Sequence, residues 1–435
     1  MRAFSLMGAW LTGLTAVAIA GCDSADPGGS GAGTGGPLCP PTFADCDSDP
    51  TNGCEGALET SVESCGACGV RCDAGAHEVP ICAAGACTRV CEAGFADCDG
   101  DLASGCEAEL SSDAVNCGAC GVSCAEVCAK GACDVTALAT GQAQPVFLAL
   151  DDASVYWGNV GLTPGAGTLM KVSKVGGAAV TLAEGQLVPR TVAVDATSVY
   201  WVNFGAPGGG GGAVMKVAKD GGAPITLASD QEAPWGLAVA GGAVYWTSAS
   251  EILTIQGADP PAMPIVLAGG QKRPLDIAVV GSEVYWVNTG TSGDPPSSDG
   301  EIMRMSQGGA PTVLVSGLAQ PSGLIADEAG GYLYWHAGGA ILRKPLGGGP
   351  EEVFLDALAL PPWELAVDAT TLYWTTATLL GGTVSAASLE TRRETVLAPN
   401  QTYLWDVAVD AEHVYWTSVG DGVNAGTGAI LRIDR

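Results

Sequence analysis

The 435-residue chain has 47% apolar and only 15% charged residues, with 64 glycines and a formal net charge of −29. That composition excludes a disordered chain, favours turns over long helices, and provides for two or three domains with a large core. The negative surface excludes binding to nucleic acid phosphates and anionic membrane faces, and suits cationic partners or metal ions.

Arg2 followed by an apolar run from Phe4 to Ala20 forms a targeting segment. It closes on Ile19-Ala20-Gly21-Cys22, which resembles a bacterial lipobox. The resemblance implies that residues 1–21 are a cleaved lipoprotein signal peptide and that Cys22 becomes the lipidated first residue, tied to the membrane by its acyl chains. The alternatives are an ordinary signal peptide or a single membrane span. The apolar run is short for a span, and Gly/Ser-rich sequence follows at once. Residues 22–38 then read as the lipidated cysteine and a flexible tether without means of forming a core.

The 17 cysteines lie between residues 22 and 133. Without Cys22, sixteen remain in two matching sets of eight. Cys39, Cys46, Cys54, Cys65, Cys68 and Cys72 recur 52 residues on as Cys91, Cys98, Cys106, Cys117, Cys120 and Cys124, and Cys82 and Cys87 recur as Cys128 and Cys133 after a shorter loop. This marks a duplicated module over 39–90 and 91–133. An exported module with eight cysteines and few large apolar residues is expected to be disulfide-stapled, with connectivity open among about 105 pairings. Cys-Gly-Ala-Cys at 65–68 and 117–120 also has the spacing of zinc ligands and redox dithiols, the competing readings. Asp45, Asp47 and Asp49, repeated as Asp97, Asp99 and Asp101, are alternate carboxylates of the kind calcium takes. They resemble the start of an EF-hand loop or the thrombospondin-type calcium repeats. The bidentate glutamate at the twelfth position is missing, and Glu55 and Glu107 come earlier. The competing reading is a solvated acidic loop; beyond such a calcium ion no cofactor is expected.

From residue 134 a second repeat takes over. Tyr-Trp occurs seven times, its tryptophans at 157, 201, 246, 286, 335, 374 and 416, with separations of 44, 45, 40, 49, 39 and 42 residues. A period near 40–45 residues built of short strands is the mark of propeller blades. In the second unit the strand-like runs are 190–195, 198–203, 213–219 and 224–229, separated by Gly, Pro or Asp turns. Consecutive Val-Tyr-Trp suits a sheet packed on both faces. A buried tryptophan covers about 150–250 Å², roughly 4–6 kcal/mol at ~25 cal/mol per Å², so these residues are read as core. The chain ends on a third strand (429–435), while residues 135–142 match fourth strands elsewhere. The expectation is that this early strand completes the last blade and closes the ring.

The fold class is therefore all-β: a seven-bladed β-propeller over 134–435, with six or eight blades as alternatives, preceded by two disulfide-rich modules. At its Tyr-Trp units the chain resembles the YWTD propeller repeats of the low-density lipoprotein receptor family. It departs in having seven units instead of that family's six, and Asn159, Asn203, Ser248, Asn288, Ala337, Thr376 or Ser418 in place of the family's aspartate.

Just before each first strand, one repeated position holds Val146, Arg190, Trp235, Leu275, Ser322, Trp363 and Trp405. Arg190, Trp235, Trp363 and Trp405 are the candidate ligand-binding residues around the channel mouth, against the alternative that they only pack its rim. His77, His336 and His413 are not spaced for a metal or a triad, and no phosphate loop or dinucleotide fingerprint occurs. Asp276 is the carboxylate that keeps a propeller hydrolase or lyase in view. The expected function is a non-catalytic lipoprotein of the bacterial cell envelope, periplasmic or on the outer surface, whose loop face binds a protein or glycan. It is held to the membrane by its N-terminal lipid and binds no nucleic acid. A purely structural envelope protein is the rival.

Overall fold

The structure, a computed structural model, describes residues 39–435 apart from 50, 52, 102–103, 123–127, 130–131, 207–209, 258–262, 292–297, 377–380, 422–423 and 425, and gives only the backbone of 129, 132 and 133. The expected signal segment, Cys22, the tether and Cys124 lie outside the described residues, as does the side chain of Cys133. Among the described residues the elements are all β-strands, and no helix is long and apolar enough to cross a membrane.

The chain divides into two compact units, residues 39–73 with 80–88, and residues 74–79 with 89–435. The first is the first cysteine module. Its core is little more than Cys65, Cys72, Cys82 and Val62, so cross-links must substitute for apolar burial. Cys39–Cys54, Cys46–Cys68, Cys65–Cys82 and Cys72–Cys87 supply them. The second module repeats the pattern as Cys91–Cys106, Cys98–Cys120 and Cys117–Cys128. The two cysteines of each Cys-Gly-Ala-Cys thus bond to different distant partners, which removes the dithiol and zinc readings. This disulfide framework indicates an extracytoplasmic location.

The second module shares its core with the propeller. Cys117, Val122 and Cys128 pack with Val384, Ala398, Val407 and Trp416.

Seven four-stranded antiparallel sheets follow, here called blades 1 to 7 in order of their Tyr-Trp pairs. In blade 2 the strands are Pro189–Val194, Ser198–Asn203, Gly212–Ala218 and Ile225–Gln231, close to the runs read from the sequence. The first strand of each blade lines the channel and the second carries Tyr-Trp. All seven indoles are sealed, Trp374 at 2% exposure and the others at 0%. An aliphatic residue (valine, or leucine in blades 5 and 6), tyrosine and tryptophan are buried side by side in each second strand because both faces of the blade are covered.

Polar groups on these aromatics are satisfied by the same repeat. Trp157, Trp201, Trp246, Trp286 and Trp416 donate Nε1–H to Oε1 of Gln142, Gln186, Gln231, Gln271 and Gln401, the last residue of the preceding outer strand or the turn after it. Asn159, Asn203 and Asn288 donate to the same oxygens, taking a hydrogen-bonding place where the YWTD family has aspartate. Blade 4 ends its outer strand in Leu318, and Trp335 Nε1 has no acceptor. On the opposite side Tyr156, Tyr200, Tyr373 and Tyr415 donate to Asp151, Asp195, Asp368 and Asp410. Cations of the next blade around the ring close this girdle through Lys219–Asp151, Lys174–Asp410 and Arg435–Asp368 pairs.

Blade 7 consists of Leu404–Val409, His413–Ser418, Gly428–Asp434 and, from the start of the domain, Thr136–Gln142. Gly428 pairs with Gln142 and Arg432 with Thr136. The early strand closes the ring as expected, so this blade lacks an open third-strand edge.

Candidate functional site

The channel mouth is built by one device repeated around the axis. A residue in the left-handed region precedes the first strand: Gln144, Val188, Ala233, Arg273, Gln320 or Tyr403, with φ of 60°, 57°, 46°, 54°, 45° and 41°. Proline follows the first five. Its fixed φ and missing N–H suit the opening of a strand. The ladder then breaks. Pro189 pairs with Asn203 and Val192 with Trp201, leaving Arg190 and Thr191 bulged toward the axis. The same shift occurs in blades 1, 4, 5, 6 and 7. A bulge re-aims two side chains and frees their backbone groups. Both consequences shape the site.

The station at the start of the first strand, bulged in blades 6 and 7 and just ahead of the strand in blade 3, carries the aromatic residues expected from the sequence, and three of them line one cavity. About 560 Å³ in volume, it is bounded by Trp235, Trp363 and Trp405 on the aromatic side and by Asp276, Glu364, Ser322 and His336 on the polar side. Trp363 and Trp405 meet edge to face at 5.3 Å between centroids, and Phe147 stands edge-on to Trp235 and Trp405 at 6.2 and 6.1 Å. Trp363 is 44% exposed, the accessible member of the wall. Arg190 is not part of the cavity lining. Its guanidinium lies behind the wall, 4.6 Å from the Trp235 ring centroid and 5.4 Å from that of Trp405, where burial lowers its pKa to about 10. It braces the indoles by cation–π contact.

The second bulged position carries three acids: Asp276, Glu364 and Asp406. Asp276 Oδ2 accepts the Gly323 amide of the next blade at 2.8 Å, and Asp406 Oδ2 accepts that of Leu148 at 2.8 Å. Gly323 lies in the bulge of blade 5, and Leu148 is the residue after the bulge of blade 1. Among the described residues Glu364 makes no side-chain hydrogen bond or ion pair. The three groups keep some contact with the channel space, yet protein surrounds them on every side. The second circumstance governs their ionisation, because among the described residues no cation is paired with them. Burial raises Asp276 to about 6 and, with Asp276 as a like-charged neighbour, Asp406 to about 7. Glu364 is raised well above its usual range by burial first, then by Asp276 and Asp406.

His336 is held neutral, its pKa lowered to about 4 by burial. Its Nε2 lies 2.8 Å from the Trp363 carbonyl and 3.1 Å from Ser322 Oγ. A carbonyl only accepts, so Nε2 carries the hydrogen and cannot take a proton from Ser322. The pair is a bracket for the Trp363 loop and not a nucleophile–base couple.

In the modules, Asp45 and Asp47 gather with Glu55, and Asp97 and Asp99 with Glu107, each trio placing ligand oxygens within 4.8 Å of one another. Glu55 Oε1 accepts the amides of Cys46 and Asp47, and Glu107 Oε1 that of Cys98. Asp45 and Asp97 each accept an amide three residues on, at Ser48 and Gly100, which share a positive φ of 66° and 74°. Asp49 and Asp101 stand outside the trios.

No protein-family model matches the chain, and comparison with curated proteins finds no match. Among solved structures, a puromycin-hydrolysing peptidase of Mycobacterium tuberculosis aligns with a TM-score of 0.51 at 14% identity, over 68% of this chain and 52% of that one. The chain thus spans about half of that peptidase, and the likeness is one of fold. A nidogen/laminin complex (20% identity, 51% of this chain, 85% of that chain) and a gluconolactonase from Xanthomonas campestris (14%, 55% and 82%) align with TM-scores of 0.40 each.

Proposed function

We propose that this chain is an exported, envelope-tethered binding protein whose propeller takes a glycan in the channel mouth without performing chemistry on it. One observation carries the reading: three indoles from blades 3, 6 and 7 converge on a single cavity above carboxylates. Sugars present apolar C–H faces that stack on indole and hydroxyls that hydrogen-bond to carboxylates, so this pairing of surfaces suits them. The neutral, donor-locked His336 supports a non-catalytic role. The tether rests on the Cys22 lipobox resemblance and on the disulfide framework.

The test is calorimetric titration of wild type and Trp363→Ala with an oligosaccharide panel. Trp363 is the choice because Trp235 and Trp405 also pack the rim. The expectation is saturable binding that Trp363→Ala weakens about five- to tenfold with its melting temperature unchanged, taking a stacked aromatic contact as on the order of 1–1.5 kcal/mol. Binding by no saccharide, or equal binding by the variant, refutes the glycan reading. Metabolic labelling with a radioactive fatty acid tests the tether: label on wild type and none on Cys22→Ala is expected, and equal label on both refutes it.

A further inference from the structure

The channel acids are in excess of what binding a neutral sugar demands. Asp276 and Asp406 accept backbone amides, but among the described residues neither is in an ion pair, and Glu364 faces the cavity without a side-chain partner there. The charges that bear on Glu364 are Asp276 and Asp406, both of its own sign. The nearby cations are not paired with these acids among the described residues. Arg190 is stacked on the indoles, His336 is neutral, and Arg273 lines the cavity only at its exposed rim. An acidic set with no paired counter-charge in a confined space is an attractive site for a cation.

The geometry also bears on what kind of cation. Among the described residues, groups of three metal-ligating atoms within 4.8 Å occur only in the cysteine modules, and the channel acids do not form one. Asp276 and Glu364 line a cavity of about 560 Å³ whose other wall is indole. A divalent ion needs converging oxygens. An organic ammonium needs a carboxylate for its head and an aromatic face for its C–H groups and spread charge. Resting on the glycan reading above, we infer that the sugar recognised in the channel mouth is an amino sugar with a free, protonated amine, its ammonium directed to Glu364 and its ring to Trp363. Burial favours the protonated form of Glu364 while the site is free, and the arriving ammonium shifts it toward the carboxylate, its proton passing to solvent, with Asp276 and Asp406 adding to the negative potential as they ionise; the net charge of −29 favours encounter with a cationic polysaccharide.

Three oligosaccharides of equal length that differ only at C2 decide the matter: oligomers of glucosamine, of N-acetylglucosamine and of glucose, titrated into the full chain at pH 6.5. The expected result is at least tenfold tighter binding of the glucosamine oligomer, a preference that shrinks in high salt. Glu364→Gln is expected to abolish that preference while keeping the weak binding common to all three, and Trp363→Ala to weaken all three together. Equal affinity for the three oligomers, or a preference that survives Glu364→Gln, overturns the amino-sugar inference and leaves the glycan reading standing. Binding of none overturns both. Heat from calcium chloride alone that Glu364→Gln removes makes the site a metal site and also overturns the inference.

Discussion

Gln186→Leu tests how the blades are joined. Gln186 is buried, accepts the Trp201 Nε1–H at 3.0 Å and the Asn203 Nδ2–H at 2.9 Å, and donates its own amide to the Glu184 carbonyl at 2.7 Å. Leucine has nearly the same volume, so the cavity contribution is small. Two buried N–H donors lose their acceptor, at about 1–3 kcal/mol each, which gives a loss of about 4 kcal/mol. For a domain of this size that lowers the melting temperature by about 8 °C. The protein supplies its own reverse case. Leu318 pairs with Gly300 as Gln231 pairs with Gly212, and Trp335 Nε1 is without an acceptor. Leu318→Gln is expected to stabilise by about 1 kcal/mol. Guanidinium unfolding followed by tryptophan fluorescence measures both, and a cycle with Trp201→Phe isolates the pair. Stability of Gln186→Leu within about 0.5 kcal/mol of wild type, or a cycle without coupling energy, refutes the view that this bond joins blade to blade.

Glu364→Gln removes a channel charge without breaking a hydrogen bond. Glu364, Asp406 and Asp276 have folded pKa values above their unfolded ones, so the stability they contribute is complete below about pH 4 and is lost as pH rises through about 6 to 7 and beyond. The variant is therefore expected to melt higher than wild type at pH 8 and alike at pH 4; an equal shift at both would contradict the assignment. Deleting residues 134–142 opens blade 7 and is expected to lower the melting temperature sharply, and an unchanged melt refutes ring closure. Peptide mapping without reduction is expected to recover Cys65 linked to Cys82 and Cys68 to Cys46; a Cys65–Cys68 bond or a free thiol pair would revive the dithiol reading.

Much of this architecture is legible in the sequence because a repeat imposes it. The seven Tyr-Trp pairs, the shared station of Trp235, Trp363 and Trp405, and the match of 135–142 to outer strands each depend only on aligning copies. The same alignment holds more than was read from it. Gln142, Gln186, Gln231, Gln271 and Gln401 each stand 15 residues before their tryptophan, and one step past the tryptophan station Asp276, Glu364 and Asp406 coincide. What alignment does not reveal is contact between unlike parts. Pairing of Cys65 with Cys82 rather than Cys68 depends on the path of the chain. So does the joining of Asp45 and Asp47 by Glu55 in place of Asp49. The core formed by Cys117, Val122 and Cys128 with blades 6 and 7 requires knowing that the second module lies against the propeller at all. Arg190 was placed at the right station, but only coordinates reveal that its neighbours turn it away from the cavity.

The closing strand has a consequence for how the molecule is made. Thr136–Gln142 is the first piece of the ring to be synthesised, and its mate, Gly428–Asp434, is among the last, nearly three hundred residues later. Blades 1 to 6 can assemble in order as the chain emerges, but this strand must wait, unpaired, for the last strand of the ring. A chain cut short before Gly428 therefore leaves the opening strand without its mate, and its row of unpaired backbone groups open to other chains.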